Sequence, residues 1–166
     1  MKLKSSYETT PLTLALTVEE LEDGSYITCV YEMDTKYYTT APPTKIMEYA
    51  CEYFGSSLKG RIEGTIKVCR IAYKVPIVVD PTSDMYFFPT ASLQSKLCAW
   101  IAHSHIVNHR PINNTKACEI EFINGQKIIL DVSYGQITNQ ILRTSQLRYA
   151  LESRMKKMNN TILEIK

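Results

Sequence analysis

No stretch of this chain approaches the ~18 consecutive apolar residues that a membrane-crossing helix needs. The opening, MKLKSSYETTPLTLAL, has cations near its start but then polar residues and a proline where a signal peptide needs an unbroken apolar core, so export is not expected. Disulfide chemistry is equally poorly supported. The cysteines, Cys29, Cys51, Cys69, Cys98 and Cys118, are an odd number, widely spaced and without a CxxC pair, which fits reduced thiols serving as small apolar side chains in the cytoplasm. A strong excess of charge is also missing: the formal net charge is +2, which selects no partner.

What is present is enough for a folded domain. The 166 residues are 45% hydrophobic and 22% charged, the size and composition of one ordinary domain spanning 1–166 that builds its core without disulfide, metal or cofactor. Charge is unevenly distributed along it. Residues 1–50 hold 4 Lys/Arg against 8 Asp/Glu, and residues 51–166 hold 15 against 9. A nucleic-acid binder needs a local basic surface rather than a basic average, so the last two-thirds is the expected DNA side and the acidic first third is left for a protein partner.

The element pattern predicts an α+β fold: a single domain, mainly antiparallel β-sheet, with one helix near the middle of the N-terminal half and one long C-terminal helix. Leu12, Leu14 and Leu16 alternate with Thr13, Ala15 and Thr17 at the period of a half-buried strand, Asp23-Gly24 is a turn signal, and Ser25–Tyr31 and Lys36–Thr40 continue a meander. Its tyrosines Tyr31, Tyr37 and Tyr38 are read as core and edge packing in preference to base stacking. Pro42-Pro43-Thr44 followed by Ile46, Met47, Tyr49, Ala50, Tyr53 and Phe54 predicts a proline-started helix, ended by Gly55 in the left-handed conformation. Thr65–Ile71 alternates and is read as a strand, with further short strands at 76–81, 85–89 and 97–107. The Asn124-Gly125 turn joins the strands of a hairpin over 118–132, and a helix is predicted over about 136–159. Ile141, Thr144, Leu147, Leu151, Met155 and Met158 form its apolar stripe, facing the sheet or a second subunit; Arg143, Arg154 and Lys157 share one flank and Arg148 borders the stripe.

The candidate site follows the first helix. Ser56 and Ser57 offer hydroxyls and backbone N–H groups, Gly60 and Gly64 permit close approach, and Lys59, Arg61, Lys67, Arg70 and Lys74 stand against Glu63 alone. Small residues bring backbone amides within reach of a phosphate and cations neutralise its charge, so the segment reads as an anion-facing turn. The plain alternative is a turn followed by a solvated cationic face. Arg143 and Arg148 are second-rank phosphate contacts beside Arg70 and Lys74. No helix-turn-helix spacing is evident, so a recognition helix in the major groove is not expected.

The wording C-E-Y-F-G-S-S-x-x-G-R (51–61), P-I-V-V-D-P (76–81), F-F-P-T (87–90), C-A-W-I-A-H-S-H (98–105) and N-Q-I-L-R-T-S-Q-L-R (139–148) resembles, in order and at similar spacing, the ComK family of bacterial competence transcription factors, over about Tyr7 to Arg154. The resemblance implies a cytoplasmic, nucleoid-associated activator of DNA-uptake genes that binds AT-rich boxes of double-stranded DNA, largely from the minor groove, as paired dimers. It also implies contact with RNA polymerase and control by an adaptor and protease. The chain reaches Lys166 soon after its last helix with no counterpart of an aromatic-rich adaptor-docking tail, so that control has no matching residues here. In an AT-rich minor groove Arg61 and Lys59 are the expected inserted cations, and Phe87 and Phe88, if exposed, the apolar wedge; buried core is their plainer use.

Two rival chemistries are carried by the same residues. His103-x-His105 on one strand would put both imidazoles on one face, a start to a zinc site that Cys98 or His109 would have to complete; hydrogen-bonded histidines in a sheet are the default. A Cys–His nucleophile pair lacks an oxyanion site and an orienting third residue, so an enzyme is not expected. A protein-interaction module without DNA binding would use the acidic N-terminal third.

Overall fold

The computed structural model describes residues 2–165; Met1 and Lys166, the two ends of the expected 1–166 domain, lie outside the described residues. Strands β1 (Thr13–Glu20), β2 (Tyr26–Glu32) and β3 (Lys36–Thr39) form an antiparallel meander. Helices α1 (Pro43–Tyr53) and α2 (Leu58–Cys69) follow, then β4 (Ile77–Asp80), β5 (Met85–Pro89) and β6 (Trp100–Ala102). β6 pairs antiparallel with β1, which closes a six-stranded sheet in the order β3-β2-β1-β6-β5-β4. β7 (Ile106–Pro111), β8 (Cys118–Phe122) and β9 (Lys127–Leu130) form a separate three-stranded sheet, and α3 (Tyr134–Ile165) ends the described chain. The expected α+β class with mainly antiparallel sheet and a long C-terminal helix is what the structure has.

Both faces of the large sheet are buried. Along β6, Trp100 and Ala102 join Leu16, Val30, Phe87 and the α1 residues Ile46, Met47, Ala50 and Cys51 on one side. Ile101 faces the other way, with Phe88, the β8 residues Cys118, Ile120 and Phe122, and Ile137 of α3. Phe87 and Phe88 are therefore core residues and neither is free to act as a wedge. β1 departs from its expected single buried face: Leu14 and Ala15 pack in the second cluster and Leu16 in the first. The β1–β2 register shifts between Thr13 and Ala15, and that irregularity swaps the faces that strict alternation would assign.

α1 forms as its sequence dictates. Pro43 occupies the first turn, where its missing N–H costs nothing, and Gly55 leaves the helix at φ +78. Trp100 Nε1–H donates to Thr44 Oγ1 at 3.1 Å and ties the start of α1 to the sheet.

The strand expected over Thr65–Ile71 is instead the second half of α2. Thr65, Ile66 and Val68 favour extended backbone locally, but Leu58, Ile62, Thr65 and Cys69 recur at helical spacing and meet the core, while Ser57 caps the start by accepting the Gly60 N–H at 2.9 Å. Burial of a helical stripe wins over β propensity.

The strand expected over 97–107 is divided as well. It ends as β6 at Ala102, passes through His103–His105, and resumes as β7 in the other sheet. The predicted 118–132 hairpin is β8 and β9, with Gly125 at φ +86 and its N–H donating to Phe122 C=O at 2.9 Å. α3 runs longer than expected, and its stripe packs only as far as Leu151; from Glu152 onward every described residue is exposed, Met155 and Met158 included. Tyr31 and Tyr37 pack half-buried against the two cores, and Lys36 lies 5.3 Å over the Tyr38 ring at the sheet edge.

Candidate nucleic-acid interface

The consecutive helices α1 and α2 are joined by four residues, Phe54–Ser57, so the first third of the candidate site is a helix–turn–helix connection that the strand reading had hidden. The turn spends donors the sequence reading had left free. Gly55 N–H donates to Glu52 C=O and Ser56 N–H to Cys51 C=O, each at 3.0 Å, and Gly60 N–H donates to the Ser57 hydroxyl oxygen. Among the described residues the N–H groups of Ser57, Leu58 and Lys59 have no acceptor at the α2 start, the positive end of the helix dipole.

α2 sorts the cations by face. Lys59, Lys67 and Arg70 are exposed, together with Gly60 and Gly64; Lys59 makes only a long contact, 4.0 Å, with Glu63 on the next turn. Exposed pairs of this kind contribute little and leave the ammonium available. Arg61 points inward instead. Its guanidinium donates to Val79 C=O at 3.4 Å and its buried Nε has no partner.

Arg61 reaches one wall of a cleft of about 270 Å³ between α2, α3 and β4. Ser56, Gly60 and Gly64 line the α2 side and Arg154 the α3 side. By sequence Arg154 shares a flank with Arg143 and Lys157; with a helix in place of the expected strand, it lines one cleft with Ser56, Gly60 and Gly64 of the turn and α2.

Arg70 and Lys74 hold left-handed backbone at φ 56 and φ 47, and Arg70 forms the C-cap of α2 through its N–H to Ile66 C=O at 2.8 Å. Two cations in a conformation that side chains disfavour, flanking one short loop, place backbone strain at the edge of the cationic face. Lys74 is half-buried, and its carbonyl accepts from Gln140 Nε2 at 2.8 Å.

The two α3 candidates are committed internally. Arg143 donates to Gln140 Oε1 at 2.8 Å and to Tyr73 C=O. Arg148 bonds Asp84 Oδ1 at 3.1 Å and Ser104 Oγ at 2.8 Å, approaches Glu152 at 3.7 Å, and lies over the Tyr86 ring at 4.9 Å. The structure thus brings Ser56, Ser57, Lys59, Arg61, Lys67 and Arg70 together on α2 and its turn, joins Arg154 to them, and sets Arg143 and Arg148 into the packing of α3.

The histidines have separate partners. His103 Nε2 meets Ser145 Oγ at 3.0 Å, His105 Nε2 meets Pro11 C=O at 2.7 Å, and His109 Nε2 meets Thr138 Oγ1 at 2.8 Å, so His103 and His105 do not share a strand face. Among the described residues no group of three or more His, Cys, Asp or Glu is placed to hold a metal ion. All five thiols are free and buried, and burial raises each above the usual thiol range, that of Cys51 to about 11. No helix among the described residues is long and apolar enough to cross a membrane.

The family model described as ComK protein matches residues 4–156, from before β1 to the exposed part of α3. The chain belongs to the ComK family. A competence transcription factor of Bacillus subtilis (strain 168) is 36% identical over 150 residues, 90% of this chain and 77% of that relative. No solved structure matches the chain. The ComK match takes in both sheets, the α1–turn–α2 unit and the packed half of α3.

Proposed function

We propose that this ComK-family chain regulates transcription of competence genes as an activator that binds AT-rich promoter boxes. Lys59, Lys67 and Arg70 hold phosphates, the open amides at the α2 start bind one more, and Arg61 with Arg154 forms the inner part of the cationic cleft. The observation that carries the reading is the exposed, cation-bearing face of α2 beside an open helix N-terminus, in a chain whose 36% identical relative is a competence transcription factor. Phosphate contacts fix register and supply most of the affinity, and a narrow AT-rich minor groove adds attraction for inserted cations. Pairing of dimers on one promoter, contact with RNA polymerase and residence at the nucleoid belong to the same reading.

The four-residue connection between α1 and α2 favours a second docking mode, in which α2 itself enters the major groove and Lys59, Glu63 and Lys67 face base edges. One experiment tests the reading and separates the modes. Purified protein is titrated with a duplex carrying two spaced AT-rich boxes and with a GC-rich control, each at two salt concentrations, with and without an AT-selective minor-groove ligand. Tight, AT-preferring, salt-steep binding lost to the ligand supports the minor-groove mode. The same binding with the ligand tolerated supports α2 in the major groove. Equal, weak binding to both duplexes overturns the DNA-reading function. In the same assay Lys59→Ala and Lys67→Ala each flatten the salt slope by about one unit, and Arg61→Ala weakens binding.

A further inference from the structure

The acidic N-terminal third carries a second concave surface. A groove of about 280 Å³ lies between α1 and the irregular segment Tyr7–Pro11, with buried Met85 in its lining. Its α1 wall leaves Tyr49, Tyr53 and Phe54 in water, at 52%, 79% and 39% exposure, and Tyr53 meets Phe54 edge to face with ring centroids 5.1 Å apart. Large aromatic surfaces grouped beside a cavity mark a binding surface, since aromatics left singly in solvent need no explanation and a cluster does.

The opposite wall supplies polar chemistry. Thr9 lines that wall, and its Oγ1 is buried with no hydrogen-bond partner. The rim is negative. Glu8 lines the groove, exposed and without an ion-pair partner among the described residues, whereas Glu48 of α1 is paired with Lys45 at 3.1 Å. The Lys45 ammonium also lies 5.4 Å from the centre of the Tyr49 ring, so one aromatic of this wall already accepts a cation. Unpaired carboxylates repel phosphate, which sets this groove apart from the α2 face.

We propose that the groove between α1 and Tyr7–Pro11 docks an extended peptide segment of a protein partner, one that inserts an aliphatic or aromatic side chain between the Tyr53–Phe54 pair and the Tyr7–Pro11 wall and sets Lys or Arg against Glu8 on the rim. The surface acts independently of DNA binding, so a ComK-family regulator of this form holds a protein and a duplex at once.

The test uses the dye-labelled hexapeptide acetyl-Lys-Arg-Leu-Trp-Lys-Arg-amide, with acetyl-Glu-Asp-Leu-Trp-Glu-Asp-amide as control, in anisotropy titrations of the full chain. The basic peptide saturates and the acidic one binds at least about ten-fold more weakly. Tyr53→Ser and Glu8→Lys, both at exposed positions, each weaken the basic peptide about five-fold or more while thermal midpoint and DNA affinity stay at wild-type values. Absence of saturable binding, equal binding of the two peptides, or affinity unmoved by both substitutions overturns the proposal. Loss of self-association in the Tyr53→Ser variant would assign the groove to a second copy of the chain and overturn it as well.

Discussion

Arg148 of α3 and Asp84 of the turn between β4 and β5 are joined at 3.1 Å, and the same guanidinium reaches Ser104 and covers Tyr86. One side chain thereby fastens α3 to the β5 and β6 ends of the large sheet. A cation so engaged has little left for a phosphate. Arg148→Ala is expected to lower stability by roughly 1–3 kcal/mol, through the lost ring packing and the polar groups it strands. The folded variant is expected to keep its DNA affinity and salt slope. Urea unfolding and duplex titration on one preparation check this; a flatter slope at unchanged stability would return Arg148 to the interface.

Arg70 offers the opposite case, where the backbone conformation works against the side chain. At φ 56 it caps α2 in the left-handed region that glycine enters freely. Arg70→Gly is expected to raise stability by about 0.5–1 kcal/mol and to weaken DNA binding with a salt slope lower by about one unit. A variant that gained stability and bound DNA as before would show that Arg70 makes no phosphate contact.

Much of this arrangement was legible in the chain. Pro43 and Gly55 mark the ends of α1, Asn124-Gly125 marks the β8–β9 hairpin, and the run of cations from Lys59 to Arg70 marks the candidate face before any fold is known. The secondary structure of that run was not legible. Thr65, Ile66 and Val68 carry strand propensity, and only the core that receives Leu58, Ile62, Thr65 and Cys69 decides for a helix. Reading a strand there spread cations over two faces, hid the α1–turn–α2 connection, and concealed that Arg154 lines the same cleft as Arg61. Long-range contacts also decide that Arg143 and Arg148 are spent internally and that the segment 97–107 changes sheets at His103–His105. Local spacing contains neither fact.

Ser57 separates helix stability from phosphate binding. Its hydroxyl caps α2, so Ser57→Ala is expected to cost about 1 kcal/mol. Ser57→Asp keeps an accepting oxygen at the cap and is favourable to the helix dipole, yet it places a carboxylate where the phosphate is proposed to sit. That variant is expected to match wild-type stability and bind the AT-rich duplex at least about ten-fold more weakly. Thermal melts and titrations together decide it, since undiminished affinity in Ser57→Asp would remove the α2 start from the interface.

The last relationship with a measurable consequence is the one between His103 and the guanidinium beside it. Burial, with Arg148 as a smaller contribution, holds the His103 imidazole down at about 4, so the ring is neutral in the folded protein at neutral pH. An unfolded histidine takes its proton near pH 6.5. Because the folded value is the lower one, the unfolded state binds more protons between these limits. Stability is therefore full above about pH 6.5, falls as the pH drops towards 4, and flattens below that. His103→Gln removes the titrating group at this position. With solvent screening allowed for, it is expected to lose about 1–2 kcal/mol less than wild type between pH 7 and pH 4.5 in urea unfolding. His109, which burial also pushes down, leaves a smaller slope in both proteins. Parallel stability profiles for wild type and variant over that window would show that His103 titrates alike in the folded and unfolded chain, and that its burial does not hold the ring neutral.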